Sequence, residues 1–275
     1  MKQFIRLGLG ISGIALALAA VAFYFRWPVV AHIWPWPGDA YTPSMSPLSF
    51  YFLSSIAAAV AAPLLWIVLT NKLHAAVPGA IDLLVTFTGL TVFMVQSYAA
   101  DSANSNLLIS AVVMGGGAVF SAVVLFSGRN VPLHDARPLP LLVRLSFYLF
   151  ILALTVVGGA MVLKIPNIMP WTLSIEAQIV YGWAFLGAAV YFLFAVLNPR
   201  WENAAGQLIG FLAYDVVLIL PFIRHFSDVL PQHRLSLIIY TAVVVYSALI
   251  AIYFLFLHKP TRVFGGDDKG VPMRV

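Results

Sequence analysis

An aspartate and a proline inside one long apolar stretch are the residues of this sequence best placed to do chemistry. The stretch runs from Gly206 to Phe226 and carries Asp215 near its middle and Pro221 six residues later. A carboxylate at the centre of a bilayer costs about 2.5 to 3.5 kcal/mol on insertion scales, so it ordinarily faces protein or water and marks a functional site. Proline removes one helical hydrogen bond and frees the carbonyl of Val217. Asp215 is therefore the first candidate for a binding or transport site.

Few other polar groups lie within the apolar stretches. A pathway for an ion or a polar solute needs several such groups that converge on one place. The candidate binding or transport residues are Asp215, Tyr214, Pro221, Thr88 and Thr91. Asp215 lies about 14 Å into its stretch, near the midplane of a hydrocarbon core about 30 Å thick. The acid must therefore be neutral, hydrogen-bonded to another helix, or hydrated through a cavity.

Two histidines and an aspartate at and just beyond the end of this stretch are weak candidates for a metal site. His225 and Asp228 have helical i, i+3 spacing, and His233 comes next along the chain. Such groups on a surface loop are more often solvated than bound to metal, so we expect no metal there. The chain has no cysteine, which excludes iron–sulfur clusters and thiol catalysis, and no two stretches offer central histidines for a b-type haem. No cofactor is expected.

The composition requires lipid as part of the solvent. Of the 275 residues, 62% are hydrophobic and 9% are charged, against roughly 25% charged in soluble domains. The formal charge of +5 is spread over short polar segments, which is typical of a membrane protein and not of a nucleic-acid-binding surface. No nucleotide-binding glycine loop, zinc-protease pattern or nucleophile elbow occurs in the sequence, so a soluble type of enzyme is excluded.

Eight apolar stretches are long enough to cross a bilayer as helices, which takes about 20 residues each. The sequence thus predicts an all-α integral membrane protein with eight transmembrane helices. The predicted spans are 7–25, 48–70, 80–98, 105–127, 141–163, 177–197, 206–226 and 235–258.

The distribution of positive charge predicts the orientation. With the N-terminus in the cytoplasm, eleven of the fifteen lysines and arginines lie on the cytoplasmic side. The four on the outer side are Arg26, Lys164, Arg224 and Arg234. Because cytoplasmic loops carry the excess of positive residues, both termini are predicted to be cytoplasmic.

The two halves of the chain match each other at residues near the span ends. The matched pairs are Arg6 and Arg144, Arg26 and Lys164, and Pro28 and Pro166 at an offset of 138, Ser46 and Ser174 at 128, and Asn71 and Asn198, Gly79 and Gly206, and Asp101 and Asp228 at 127. Four spans per half is an even number, so the pattern predicts two tandem four-helix repeats in the same orientation. At the offset of 127, Thr88 stands opposite Asp215.

This repeat divides the chain into four predicted units. Residues 1–130 form the first four-helix repeat, 131–140 a cytoplasmic linker, 141–260 the second four-helix repeat, and 261–275 a flexible cytoplasmic tail.

Tryptophan and proline follow the first and fifth spans. Proline at this density excludes a regular helix, and the amphipathic indole rings favour the headgroup level of the membrane. These segments are predicted to lie along the outer interface, either as anchors or as a lid over a cavity between the halves. The interfacial residues are Trp27, Trp34, Trp36 and Trp171.

The second of these segments, Pro-Trp-Thr-Leu-Ser at 170–174, resembles the Pro-Trp-x-Leu-Ser/Thr segment of certain uncharacterised bacterial multi-pass membrane proteins. The likeness covers this segment and its two flanking spans. In the first half the motif is broken by an insertion from Gly38 to Ser44. The resemblance implies a bacterial inner-membrane protein and no particular chemistry.

Small residues at helical spacing predict close helix contacts. Ala111 with Gly115, Gly117 with Ser121, and the glycines at 158, 159, 182 and 187 let helices approach closely in lipid. These faces are expected to pack within the chain or to hold a homo-oligomer or another membrane protein. The lipid bilayer is the other partner, and no nucleic acid is expected.

Three classes of function remain. The duplication, Asp215 and the prolines at 63 and 221 favour a small transporter or channel-like protein. The scarcity of polar groups in the spans favours a non-catalytic accessory or scaffold subunit of a larger membrane complex. An intramembrane enzyme would need more than one acid and a few histidines. A hydrated path to Asp215 would favour transport, whereas a dry, tightly packed bundle would favour the accessory subunit.

Overall fold

The computed structural model of the protein describes residues 2–28, 30, 34–36 and 47–263. Within these ranges most of the chain is helical, and eight helical segments are long and apolar enough to cross a membrane. The prediction of an all-α multi-pass membrane protein with eight spans is confirmed. The helices are α1 (Lys2–Tyr24), α2 (Pro47–Thr70), α3 (Ala76–Ala100), α4 (Ser105–Gly128), α5 (Leu141–Val162), α6 (Ile175–Leu197), α7 (Trp201–His225) and α8 (Arg234–Ile252).

The first and seventh helices each begin five residues before the predicted span. Helix α1 begins at Lys2 and not at residue 7, and α7 begins at Trp201 and not at Gly206. In α7 the intervening residues include Glu202 and Asn203, which lower the local hydropathy although both are buried against the rest of the protein. A hydropathy pattern registers their polarity and not their partners, so it starts the helix too late.

Shorter helical turns extend two of the spans. A 3₁₀ turn at Leu73–Ala75 precedes α3, and a second at Pro231–His233 precedes α8. The chain continues from α8 into a π-helical turn at Tyr253–Leu257. Of the predicted tail at 261–275, most lies outside the described residues, but Thr261 is buried and its hydroxyl donates to the Phe254 carbonyl at 2.7 Å.

Eight successive spans return the chain to the side of the membrane on which it began. We call the end of the bundle where α1 begins and α8 ends the termini face, and the other end the opposite face. The linker between α4 and α5 lies at the termini face, and the connection between α3 and α4 lies at the opposite face.

Reporter fusions test this arrangement. A phosphatase or fluorescent reporter joined after Asp101, which follows α3, is expected on the side opposite to one joined after Asp135, which lies between α4 and α5. The physical reason is that α4 crosses the bilayer between the two positions. Reporter activities that place both positions on one side would contradict the eight-span topology.

Four helices form the centre of the bundle and four lie around it. In sequence order, α1 packs against α2, α3 against α4, α5 against α6 and α7 against α8. Between the halves, α2 packs against α7 and α3 against α6. The inner helices are therefore α2, α3, α6 and α7, and the outer helices α1, α4, α5 and α8 present most of their apolar side chains outward, as lipid contact requires.

The same chain reversal ends α1 and α5. Arg26 and Lys164 both have left-handed backbones, with φ of 52° and 62°. The two crossed backbone hydrogen bonds of a Schellman motif follow each helix. They are Arg26 N to Phe23 O and Trp27 N to Ala22 O after α1, and Lys164 N to Met161 O and Ile165 N to Ala160 O after α5. All four residue pairs are separated by the offset of 138 found in the sequence.

Most of the small-residue faces pack within the chain. A side chain added at Gly117 would collide with Phe87 of α3, and one added at Gly158 would collide with the backbone of Gly182 on α6. Gly116 and Gly159 face open space instead. Close helix contact through glycine is thus found inside the protein, and a homo-oligomer through the remaining faces stays a prediction.

Candidate functional site

Asp215 lies at the interface between α7 and α8. It stands 14 residues after Trp201 and 10 before His225, and so near the middle of α7. Only 1% of its surface is exposed, and its Oδ1 lies 2.9 Å from the Ser247 hydroxyl of α8. Of the three states that the sequence allows for a central acid, the structure has the one in which the acid is hydrogen-bonded to another helix.

The Ser247 hydroxyl has one proton and two principal acceptors. Its Oγ lies 2.9 Å from Asp215 Oδ1 and 2.8 Å from the carbonyl oxygen of Val243, and the Val244 carbonyl oxygen lies further away, at 3.2 Å. If the hydroxyl donates to Oδ1, Asp215 is either ionised or carries its proton on Oδ2. If it donates to the Val243 carbonyl, which can only accept, Asp215 must be protonated to donate to Ser247. The same atoms therefore accommodate both protonation states of the acid.

The second carboxylate oxygen of Asp215 is buried and has no hydrogen-bond partner among the described residues. The ring of Tyr214, the residue before Asp215, lies 6.0 Å from that of Phe52 on α2. The hydroxyls of Tyr240 and Thr241 on α8 are likewise buried without a partner. Native structures leave few buried polar groups unsatisfied, so several on two adjacent helices mark this interface as unusual.

No cation neutralises Asp215 within the described ranges. The ion pairs found there involve Glu202, Asp135 and Asp228, and none involves this acid. A buried carboxylate without a positive partner is held only by hydrogen bonds, and burial favours its neutral form over its charged form. The Asp215 carboxylate can thus bind a proton, and no described cation takes the place of that proton.

A second carboxylate, that of Asp82, lies between the two halves. It is half-buried on α3, where the Thr86 hydroxyl donates to its Oδ1 at 3.2 Å. The same hydroxyl lies 3.3 Å from the Trp183 carbonyl of α6, so it too has one proton and two acceptors. Gly187 of α6 lies against Asp82 and Thr86. A side chain at this position would collide with both, so the glycine makes room for them. The position of Asp82 near the start of its span suggests a hydrated helix end, which is why sequence reasoning missed it.

The predicted site residues do not all meet. Asp215 lies at the α7–α8 interface, Tyr214 packs against Phe52 of α2, and Pro221 is buried further along α7. Thr88 is exposed on the surface of α3. Thr91 donates to the Phe87 carbonyl of its own helix at 2.7 Å and faces α4. Neither threonine joins the polar cluster around Asp215.

The histidines at and after the end of α7 do not form a metal site within the described residues. His225 Nδ1 lies 2.8 Å from Asp228 Oδ1, so the predicted i, i+3 pair is present. His233 is buried, and its Nδ1 has no partner among the described residues. No group of three or more metal-binding side chains occurs over the described ranges.

The four tryptophans that were predicted to be interfacial differ in burial at the opposite face, and Trp36 is half-buried. Trp27 is exposed, whereas Trp34 and Trp171 are buried in an aromatic cluster with Phe52. Trp171 Nε1 donates to the Ser49 hydroxyl of α2 at 2.8 Å. The segment that follows α5 thus packs into the end of the bundle between α2 and α6. The residues 37–46 of the corresponding first-half segment lie outside the described ranges.

A buried glutamate fixes the linker between the halves. Glu202 is in the first turn of α7, and 1% of its surface is exposed. Its Oε2 accepts the backbone N–H groups of His134 and Asp135, both at 2.7 Å. Two further backbone bonds, from Leu139 to Pro199 and from Trp201 to Arg137, join the same two segments. The sequence gives no signal for this contact because the two segments are far apart along the chain.

Asp135 adds a local ion pair to this linker. Its carboxylate accepts hydrogen bonds from the Arg137 guanidinium and backbone N–H, and that guanidinium also donates to the Pro260 carbonyl. Burial alone would raise the pKa of the Asp135 carboxyl, but the hydrogen bonds and charge of Arg137 outweigh it and hold that pKa below its ordinary value. The linker is therefore charged and ordered at neutral pH.

Glu202→Ala is expected to release the linker. The change removes one carboxylate that accepts two backbone hydrogen bonds, and each hydrogen bond to a charged group contributes about 1.5 to 3 kcal/mol. Trypsin should then cleave after Arg129, at the start of the linker, faster than in the wild type. Glu176→Ala is the matched control, because Glu176 is also in the first turn of its helix, α6. Equal cleavage rates in the two variants would contradict the linker contact.

The two best-formed cavities lie at the ends of the bundle. One of about 140 Å³ is at the opposite face and is lined by residues 166–169, 171–173 and Gln178. The other, of about 450 Å³, is at the termini face. Neither is lined by Asp215 or Asp82, so both acids lie in packed protein away from these cavities.

Comparison of the chain with protein-family models, with curated proteins and with solved structures found no match. Function must therefore be argued from the site itself.

Proposed function

We propose that this membrane protein moves protons across the bilayer and that Asp215 is the group that takes up and releases them. The observation that carries the proposal is the hydrogen-bonded row from Asp215 through Ser247 to the Val243 carbonyl. This row holds the acid in either protonation state without rearranging heavy atoms. An ionisable residue in the middle of a span is costly in lipid and is ordinarily retained for function.

Asp82 has the second proton-binding role in this proposal. It repeats the arrangement of Asp215, with a threonine hydroxyl that lies near both a carboxylate and a carbonyl. It is closer to the termini face than Asp215 and lies on α3 at the boundary between the halves. Two acids at different depths, each able to gain and lose a proton, are a minimal set of proton-binding sites for proton movement.

The proposal includes an origin by duplication of a four-helix unit. The helix neighbours support it, because α2 with α7 in one pair corresponds to α6 with α3 in the other. Contacts between the first two helices of each half support it too. In the first half, Ser54 of α2 donates to the Ala20 carbonyl of α1 at 2.7 Å. Ser54 corresponds to Gly182 at an offset of 128, and Ala20 to Gly158 at an offset of 138. These two glycines of α6 and α5 are in contact in the second half. The acid of one half, Asp215, would then be a later and asymmetric addition.

The orientation and location are also proposed. The excess of lysine and arginine at the termini face favours a cytoplasmic location for that face. The Pro-Trp-Thr-Leu-Ser segment favours a bacterial inner membrane, through the resemblance described above.

A second candidate function is that of a non-catalytic accessory subunit. The observation that favours it is the position of the two best-formed cavities, which do not reach Asp215. Under this function, Asp215 and Ser247 would simply hold α7 and α8 together. Co-purification of a stoichiometric membrane partner in mild detergent is the measurement that this function requires.

Proteoliposomes distinguish the two functions. Purified protein is reconstituted with an entrapped pH-sensitive dye, and a potassium gradient with valinomycin supplies a membrane potential. If the protein moves protons, the internal pH should change faster than in empty liposomes and in liposomes that contain heat-denatured protein. A rate equal to that of empty liposomes would reject proton movement and leave the accessory function.

A further inference from the structure

The larger cavity at the termini face has the composition of an anion site. It lies where the start of α3, the end of α4, the end of α6 and the start of α7 meet, and so between the two halves. Arg129, Arg200 and His74 line it, and no aspartate or glutamate does. Its volume of about 450 Å³ is large enough for a small polar headgroup. The charge of this cavity is therefore positive and uncompensated by its own walls.

The two arginines keep most of their hydrogen-bond donors free. Arg129 lies over the Phe126 ring at 5.3 Å and forms no ion pair with a described residue. Arg200 Nη1 donates to the Ala136 carbonyl at 3.3 Å, and its other guanidinium N–H groups form no hydrogen bond with a described residue. A guanidinium has five N–H donors in a planar fork that suits phosphate oxygens. Both side chains can thus serve a bound phosphate without first breaking an internal ion pair.

A buried amide adds a specific acceptor. Asn203, at 1% exposure, also lines the cavity; its Nδ2 donates to the Asn198 carbonyl at 2.9 Å, while its Oδ1 has no partner among the described residues. An unpartnered buried acceptor calls for a donor such as a hydroxyl group. His74 Nδ1 donates to the Val131 carbonyl at 2.8 Å, which leaves its Nε2 as the second ring atom available to a ligand.

Apolar residues complete the walls. Val77, Leu133, Phe194 and Leu197 line the cavity beside the basic groups. A positive site with apolar neighbours at the end of membrane spans is the composition that binds anionic lipid headgroups.

We propose that this cavity binds a phosphate ester that carries free hydroxyl groups, with Arg129 and Arg200 on the phosphate and Asn203 on a hydroxyl. The ester is either the headgroup of an anionic phospholipid such as phosphatidylglycerol or a soluble ester such as glycerol phosphate. Because the ligand touches both halves, binding ties the start of α3 to the start of α7. This site is independent of proton movement by Asp215.

Thermal unfolding of the purified protein in detergent tests the site. Phosphatidylglycerol, phosphatidylcholine and glycerol 3-phosphate are added separately, and native mass spectrometry measures bound lipid. Phosphatidylglycerol should raise the unfolding temperature and stay bound, and phosphatidylcholine should not. If glycerol 3-phosphate alone gives the same stabilisation, the ligand is the soluble ester; if it does not, the ligand is the lipid.

Arg129→Gln and Arg200→Gln should each weaken binding about tenfold, because a charge-assisted hydrogen bond contributes about the free energy of a tenfold change in affinity. Arg6→Gln is the control, since Arg6 is an exposed arginine near the same face that does not line the cavity. Arg129 is exposed, and among the described residues its guanidinium has only the ring contact with Phe126, so its variant should fold normally and can carry the test alone. Wild-type affinity in both variants, or equal stabilisation by the two lipids, would overturn the proposal.

Discussion

Gly182→Leu should unfold or strongly destabilise the protein. A Cβ at Gly182 would lie 2.8 Å from the Gly158 carbonyl oxygen and 2.9 Å from the Val162 backbone nitrogen. These are backbone atoms of α5, so the clash cannot be relieved by a side-chain rotation and the helices must separate. Overpacking costs about 1 to 3 kcal/mol, and a wedge between two backbones belongs at or above about 3 kcal/mol. Unfolding in mixed detergent micelles, followed by tryptophan fluorescence, measures the loss.

The neighbouring glycine provides the control. A Cβ at Gly159 has no atom within 4 Å, so Gly159→Leu adds the same volume and hydrophobicity on the side of α5 that faces lipid. Gly158→Leu should behave like Gly182→Leu, because its Cβ would lie 2.9 Å from the Gly182 carbonyl oxygen. Equal midpoints for the variants at 158 and 159 would show that α5 and α6 do not meet through these glycines.

The sequence could predict the spans because lipid imposes a simple requirement. Each helix must offer about 20 apolar residues to cross the hydrocarbon core, and hydropathy registers that directly. The same reasoning found Asp215, since an acid stands out in such a stretch. It also indicated that glycines at 158, 159 and 182 permit close contact, but not which of them do, because that depends on the rotation of each helix about its axis.

The partners of the polar groups could not be predicted. Ser247 and Thr86 are ordinary residues in an apolar helix, and each becomes part of a site only because a particular neighbour carries an acid or a carbonyl at the right height. Glu202 reads as a polar residue outside the membrane span, although it is buried under a linker 67 positions earlier in the chain. Trp171 reads as an interfacial residue, although Ser49 binds it inside the bundle. Each of these contacts is determined by how the helices pack, which the local sequence does not reveal.

Asp215→Asn is expected to abolish proton movement while leaving the fold intact. The amide has nearly the shape of the carboxyl group, and its oxygen can still accept the Ser247 hydroxyl proton. It cannot gain or lose a proton at physiological pH, so the proton-binding group is lost. The dye assay in proteoliposomes should therefore fall to the rate of empty liposomes, a loss of at least about tenfold in protein-dependent rate, as for other groups that transfer protons. Thermal unfolding should stay within about 1 kcal/mol of the wild type, because one neutral hydrogen bond is retained.

Two further variants separate a proton carrier from a structural hydrogen bond. Ser247→Ala removes the group that links Asp215 to the Val243 carbonyl but leaves the acid, so it should slow proton movement without abolishing it. Asp82→Asn should also reduce the rate, since it removes the second proton-binding group. If Asp215 is only a bond between α7 and α8, Ser247→Ala should instead destabilise the protein as much as Asp215→Ala does, and Asp215→Asn should transport like the wild type. A proton carrier requires Asp215→Asn to lose transport and keep its stability. A structural hydrogen bond requires Asp215→Asn to keep transport and Ser247→Ala to lose stability, so measuring both quantities for both variants decides between the two roles.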